Sequence, residues 1–279
     1  MMGPSHSMSG AAAGLGAAAI YTATTGVEIA WPVLVLGTAV SAGAALAPDI
    51  DSYGSTVVRS FGIFGRVMYW IANGLSLGVY NILHTNRDEP KENGHRTLFH
   101  TTLMAIVMGS LVAFATSAGG TTELWGNQYS WGAIFAIICM GIFLHLALGG
   151  LFVKPISKAR SKFGPYLMMV FSAGITIAIA IALASSGKTA TDTYSWLGLA
   201  VGFGWFVHLM GDWITKMGVP LLFPIPWKGR LWWNFATPPF MRITAGGGVE
   251  NYLLMPLFTI LTIGLATWHI LVYNGLVQI

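Results

Sequence analysis

The chain of 279 residues is 54% hydrophobic and only 9% charged, with a mean hydropathy of +0.66, which excludes an ordinary soluble domain, whose charged fraction is nearer ~25%. Its formal charge of +4 and pI near 9.2 do not point to nucleic acid, because the basic residues stand between apolar runs and form no continuous stripe. The composition is that of a polytopic membrane protein, and the single cysteine, Cys139, excludes an intrachain disulfide.

Runs of about 20 apolar residues predict spans near 10–27, 30–47, 101–118, 131–153, 165–186, 195–216 and 253–273. The fold expected is an all-α polytopic transmembrane helix bundle, a single membrane domain over 1–279 with about seven spans and one interfacial amphipathic helix. No Lys or Arg precedes the first run, so a retained helix is expected there and not a cleaved signal peptide. That run is rich in Ala and Gly, which suits close helix packing in lipid, and His6 stands just before it in Gly3-Pro4-Ser5-His6.

Span two runs into Pro48-Asp49-Ile50-Asp51-Ser52. Proline ends a helix and releases carbonyls, and two aspartates two apart in a non-helical segment can turn toward one cation or a pair of them. Residues 56–84 mix Arg59 and Arg66 with Phe61, Phe64, Met68, Trp70 and Ile71, the pattern of an amphipathic helix lying at the interface. His84 is expected at the interface too.

Next comes Gly94-His95-Arg96-Thr97-Leu98-Phe99-His100-Thr101. Histidines five apart do not share a helical face, so His95 belongs in the loop and His100 in the first helical turn, from where they can converge. Arg96 between them puts a cation beside a cation site, which suits an anionic substrate. His145, in span four, is expected as a packed, hydrogen-bonded histidine, and His269, in span seven, as a residue apart from any site.

Span six carries His208 and Asp212, one helical turn apart on one face, in His208-Leu-Met-Gly-Asp212-Trp-Ile-Thr215-Lys-Met-Gly218-Val-Pro220-Leu-Leu-Phe-Pro224. An ionisable group inside a membrane helix costs at least roughly 2.5–3.5 kcal/mol, so a pair of them there signals a bound cation. The segment from Pro224 to 252 mixes Lys228, Arg230, Trp232, Trp233 and Arg242 with Gly246, Gly247, Gly248 and Glu250. Such a loop is expected to anchor at headgroups, and Glu250 is a further candidate ligand or base. The glycines lack the strand and Lys-Ser/Thr context of a phosphate loop.

Placing the N-terminus inside puts thirteen of the fourteen Lys and Arg on the inner side, including Lys154, Lys158, Arg160 and Lys162, and only Lys188 outside. Trp31, Trp125, Trp131 and Trp196 then mark the outer interface, and Trp227, Trp232 and Trp233 the inner one. This orientation, derived from basic residues alone, also gathers His6, Asp49, Asp51, His95, His100, His208 and Asp212 at the cytoplasmic face. Seven candidates exceed the three or four protein ligands of one catalytic zinc, which leaves a two-metal site or a mixture of ligands and bases. Imidazole and carboxylate without thiolate suit a divalent ion, Zn foremost with Mn or Fe as alternatives, one or two per chain.

In this order the motifs Pro4-Ser5-His6, Pro48-Asp49-Ile50-Asp51, Gly94-His95-Arg96 through His100, and His208-x3-Asp212-x2-Thr215-x2-Gly218-Val219-Pro220 resemble the YdjM family. Its members are bacterial inner-membrane proteins described as membrane-bound metal-dependent hydrolases and associated with LexA regulation. The resemblance covers about 1–225, with Glu250 as the counterpart of a later family glutamate. The chain has Ser52 where the family usually has histidine, and Thr97-Leu98-Phe99 where it usually has Gly-x-Thr. What the resemblance implies is an activity class, a metal-dependent hydrolase of the bacterial inner membrane, and no substrate; the expectation from the residues themselves is a site at the cytoplasmic face where a metal-activated water acts on a lipid-linked or phosphate ester. Asp51 or Glu250 would be the general base, Arg96 would steady developing negative charge, and membrane lipids would be the partners. The competing expectation is a divalent-metal or proton-coupled transporter using the same cluster, whose site should lie near the midplane with polar groups continuing outward.

Overall fold

The computed structural model describes residues 1–124, 127–158, 164–185 and 194–277. Each of the seven apolar runs forms a helix there: α1 (Gly3–Thr25), α2 (Trp31–Ala44), α5 (Thr102–Thr116), α6 (Trp131–Lys158), α7 (Gly164–Ser185), α8 (Trp196–Trp213) and α9 (Met255–Tyr273). Between α2 and α5 lie α3 (Thr56–Ser60) and α4 (Gly62–Leu83). A short antiparallel hairpin, β1 (Thr121–Leu124) on β2 (Asn127–Ser130), joins α5 to α6; strands of four residues are too short to leave a periodic signal in the sequence. Trp125, Arg160, Lys162 and Lys188, which carried part of the orientation argument, lie outside the described residues, as do the side chains of Lys154 and Lys158.

The distribution of polarity is inverted relative to a protein in water. Phe114 is 79% exposed and Leu199 78%, whereas His6, His100, His208 and Glu250 are fully buried. Large apolar side chains cover the outside of most helices, and an aqueous surface does not tolerate patches of that extent. Helix α4 shows the same inversion on its own: Ile63, Phe64, Val67, Trp70, Ile71 and Leu75 face outward, while Gly65, Ala72, Ser76 and Tyr80 face the protein. Three helical segments, Trp31–Asp51, Trp131–Leu151 and Glu250–Tyr273, are long and apolar enough to cross a membrane by themselves among the described residues. Helices α1 and α8 are not among them; their small and polar residues lower the mean hydropathy, and many of these residues are buried.

Helix α2 is central, packed against α1, α6 and α8. Its Leu36, Val40 and Ala44 meet Met140 and Phe143 of α6 and Leu197 and Val201 of α8 in the main apolar core. Close approach depends on missing side chains: a Cβ on Gly43 would run into the backbone of Phe143, and one on Gly204 into that of Ser41. These contacts, with the packing of α5 on α8, bring the C-terminal ends of α2 and α8 and the start of α5 together.

The irregular segments 84–100 and 214–249 pack on one another. Asp88 accepts hydrogen bonds from the backbone N–H of Thr85 (2.7 Å), Trp232 (2.9 Å) and Leu231 (3.2 Å), and those donors hold its carboxyl below the usual carboxylate value against the opposing effect of burial. Trp232 is buried, stacked on Phe223 at 4.1 Å beside Tyr80, and so is part of this packing; Trp227 stays exposed. His145 sits within 2.9 Å of Ser172 Oγ and 3.1 Å of the Ser60 carbonyl, the packed histidine expected. His269 contacts the carbonyl of Leu15, and His84 is exposed.

Candidate metal centre

Four pieces of chain build the cluster. After α2 ends at Ala44, the turn Ala47–Asp51 carries Asp49 and Asp51, with Pro48 barring continuation of the helix. The loop before α5 carries His95 and Arg96, and a single turn, Leu98–His100, carries His100. The last turns of α8 present His208 and Asp212, and the first turn of α1 presents His6.

His208 Nδ1 donates to the carbonyl of Ala45 at 2.8 Å, which orients the ring and leaves Nε2 without a proton. Around that Nε2 stand His100 Nε2 at 3.3 Å, Asp49 Oδ1 at 3.7 Å and Asp212 Oδ2 at 3.7 Å. His100 Nε2 is in turn 3.5 Å from Asp49 Oδ1 and 3.8 Å from Asp212 Oδ2. Ligand atoms bound tetrahedrally at zinc-like bond lengths stand about 3.3–3.6 Å apart. At magnesium-like bond lengths an octahedral site would hold adjacent ligand atoms about 3.0 Å apart. The separations here, 3.3–3.8 Å, lie nearer the first set than the second. A cation at their centre would meet two imidazoles and two carboxylates.

Asp51 lies behind this set. Its Oδ1 is 2.9 Å from His95 Nδ1 and its Oδ2 is 3.3 Å from His100 Nδ1, so it faces the outer nitrogens of both rings. Burial pushes the His100 imidazolium to lose its proton, but the carboxylates of Asp51, Asp49 and Asp212 outweigh this and raise its pKa to about 10. The three acids thus create a demand for positive charge that a divalent ion can meet. His95 meets His100 edge to face at 5.0 Å and is partly exposed, while His100 and His208 are sealed from solvent.

His6 is fully buried, and neither ring nitrogen makes a hydrogen bond. Its Nε2 is 3.4 Å from Asp212 Oδ1, and its ring stacks on that of His208 with centroids 3.8 Å apart. The amino group of Met1 is 2.5 Å from the same Oδ1. Gly211 makes room for this arrangement, since a Cβ there would stand 3.0 Å from His6 Cε1.

Arg96 was expected to face an anionic substrate. Instead its Nη2 lies 2.9 Å from Asp212 Oδ2, and its Nη1 donates to Thr215 Oγ1 and to the carbonyl of Gly218, both at 3.0 Å. Arg96 holds a left-handed backbone conformation, φ 56°, unusual for a residue with a side chain. Glu250 is also engaged elsewhere: Oε1 accepts from the backbone N–H of Met2 at 2.6 Å and Oε2 from that of Gly246 at 2.8 Å. Sequence reasoning missed the Ala45 carbonyl, which leaves no side-chain signal. It also passed over the Thr215 hydroxyl, whose place one turn after Asp212 did offer one.

Among known proteins, the model of the YdjM inner membrane protein family matches residues 1–157, which include His6, Asp49, Asp51, His95, Arg96 and His100. His208 and Asp212 lie beyond the matched stretch, and their part in the cluster rests on the geometry above. No curated protein and no solved structure matches the chain. With more than half of the sequence matched and the buried His/Asp cluster enclosed by lipid-facing helices, this chain belongs to the YdjM family of inner membrane proteins.

Proposed function

We propose that the protein is a membrane-bound metal-dependent hydrolase that uses zinc, held by Asp49, His100, His208 and Asp212, and that acts on a lipid-linked or phosphate ester at the cytoplasmic face. The observation that carries this is the set of five separations between 3.3 and 3.8 Å that link the ring nitrogens of His100 and His208 to each other and to oxygens of Asp49 and Asp212. A zinc ion bound there supplies a water of pKa near ~7 and a Lewis acid for the scissile group.

The protein's own groups then divide the work. Arg96 restrains the carboxylate of Asp212, and Asp51 orients His100 from behind. Asp51 also receives His95 Nδ1, which leaves Nε2 of a partly exposed ring free to take a proton; the base is therefore the Asp51–His95 pair, with Glu250 occupied at the start of α1. Exposed Lys228 and Arg242 and exposed Trp227 suit an anionic headgroup at interfacial depth. Transport is the weaker reading, because the ligands stand at helix ends: His100 two residues before α5, Asp212 next to the last residue of α8.

The test is turnover of phospholipids and chromogenic phosphoesters by protein in nanodiscs, with and without chelator. Zinc-dependent turnover lost in Asp49→Asn supports the reading. Turnover indifferent to chelator overturns it, and metal uptake into sealed vesicles without turnover would establish the transporter.

A further inference from the structure

His6 lies outside the four ligands assigned above, yet it stacks on His208 and forms with His208 and Asp212 a buried group able to hold a metal ion. We infer that the centre is dinuclear: a second divalent cation binds between His6 Nε2 and Asp212 Oδ1, with the Asp212 carboxylate bridging it to the first. The inference rests on the metal centre proposed above and adds a second position to it.

Three observations carry it. The two oxygens of Asp212 face different neighbours, Oδ2 toward His208, His100 and Arg96, and Oδ1 toward His6 and the Met1 amino group. The His6 Nε2 to Oδ1 separation is 3.4 Å, close to the His208 Nε2 to Oδ2 separation of 3.7 Å, so each imidazole is matched with one oxygen as adjacent ligands of one ion would be. The rings are nearly parallel, 18° between planes, with centroids 3.8 Å apart. An imidazole binds a metal in its own plane, so two cations on such rings stand about one stacking distance apart, within the ~3.5–4 Å separation of two-metal sites.

The state of His6 points the same way. It is fully buried in the first turn of a helix of a membrane protein, with both nitrogens lacking hydrogen-bond partners. A buried polar ring left so is costly, and a ligand for Nε2 removes the cost. The group beside Oδ1 in this structure is the Met1 amino group. His6 Nε2 and Asp212 Oδ1 are the second cation's two protein ligands, and water or substrate oxygens complete the shell, as at the open position of a catalytic site.

The experiment is metal stoichiometry on the full chain in detergent, loaded with Zn(II) and measured by elemental analysis, with electron paramagnetic resonance of the Mn(II)-loaded protein beside it. Wild type is expected to hold about two ions per chain and to show a spin-coupled Mn(II) signal. His6→Ala and the milder His6→Gln are expected to hold about one ion, with the coupling gone. One ion per chain in the wild type, or two uncoupled ions, overturns the dinuclear centre while leaving the first site intact. No bound ion at all overturns the first site as well. Should the His6 variants fail to fold, the wild-type stoichiometry and coupling decide alone.

Discussion

Arg96 Nη2 stands 2.9 Å from Asp212 Oδ2, the same oxygen that faces His208 and His100. A buried guanidinium therefore leans on a carboxylate drawn the other way by two imidazoles, and Asp212 is held without freedom to rotate. Arg96 makes this contact, and those to Thr215 and Gly218, from a left-handed backbone that costs roughly 1–2 kcal/mol.

Arg96→Gly relieves that strain but removes the charge, so its expected outcome is a loss of metal affinity of about 10–100-fold, the range for residues that orient ligands. Competition titration with a zinc chelator measures it. Unchanged affinity would show that Asp212 needs no partner.

Asp49→Asn, His100→Ala, His208→Ala and Asp212→Asn should each strip most of the metal, whereas Glu250→Gln should leave its content unchanged. Glu250 serves the first turn of α1 through Met2 N–H, so its loss should appear as lower stability, about 1–3 kcal/mol, in thermal unfolding. Metal loss in Glu250→Gln would restore it to the centre.

Asp88 supplies the pH dependence. Its pKa is lowered in the folded protein, so its contribution is present above the ordinary value of 3.8 and is lost as pH falls through the lower folded one. The melting temperature should therefore drop on the acid side below about pH 4. Asp88→Asn should flatten that limb; an unaltered acid limb would remove Asp88 from the account.

Gly211→Ala puts a methyl group 3.0 Å from His6 Cε1 and 2.9 Å from Met1 Sδ. Overpacking of this kind costs about 1–3 kcal/mol and should displace His6 from Asp212. A melting temperature equal to that of the wild type would show that the His6 turn shifts freely.

A cytoplasmic cap predicts that a cysteine at Thr244, in a Cys139→Ser background, is labelled by an impermeant reagent only after the cell is opened. Labelling of intact cells would reverse the orientation derived from Lys and Arg.

The positions of the helices could be read from the chain because apolar runs and helix-breaking residues such as Pro48 act locally. The pairing of His208 with Asp212 was legible for the same reason, one turn apart on α8. The gathering of Asp49, His100 and His6 was legible only as a common side of the membrane. Which oxygen meets which nitrogen was not, because it depends on contacts between residues more than a hundred positions apart, such as His208 with Ala45 and with His100. Tertiary packing set Asp51 against Nδ1 of His95 and of His100, Arg96 against Asp212, and Glu250 at the start of α1. It also buried Trp232 beneath Tyr80 and Phe223. Residue type and spacing determine that a carboxylate or an indole is present and near one end of a helix; only the close approach of helix backbones at Gly43 and Gly204, and of the His6 ring to Gly211, decides what it touches.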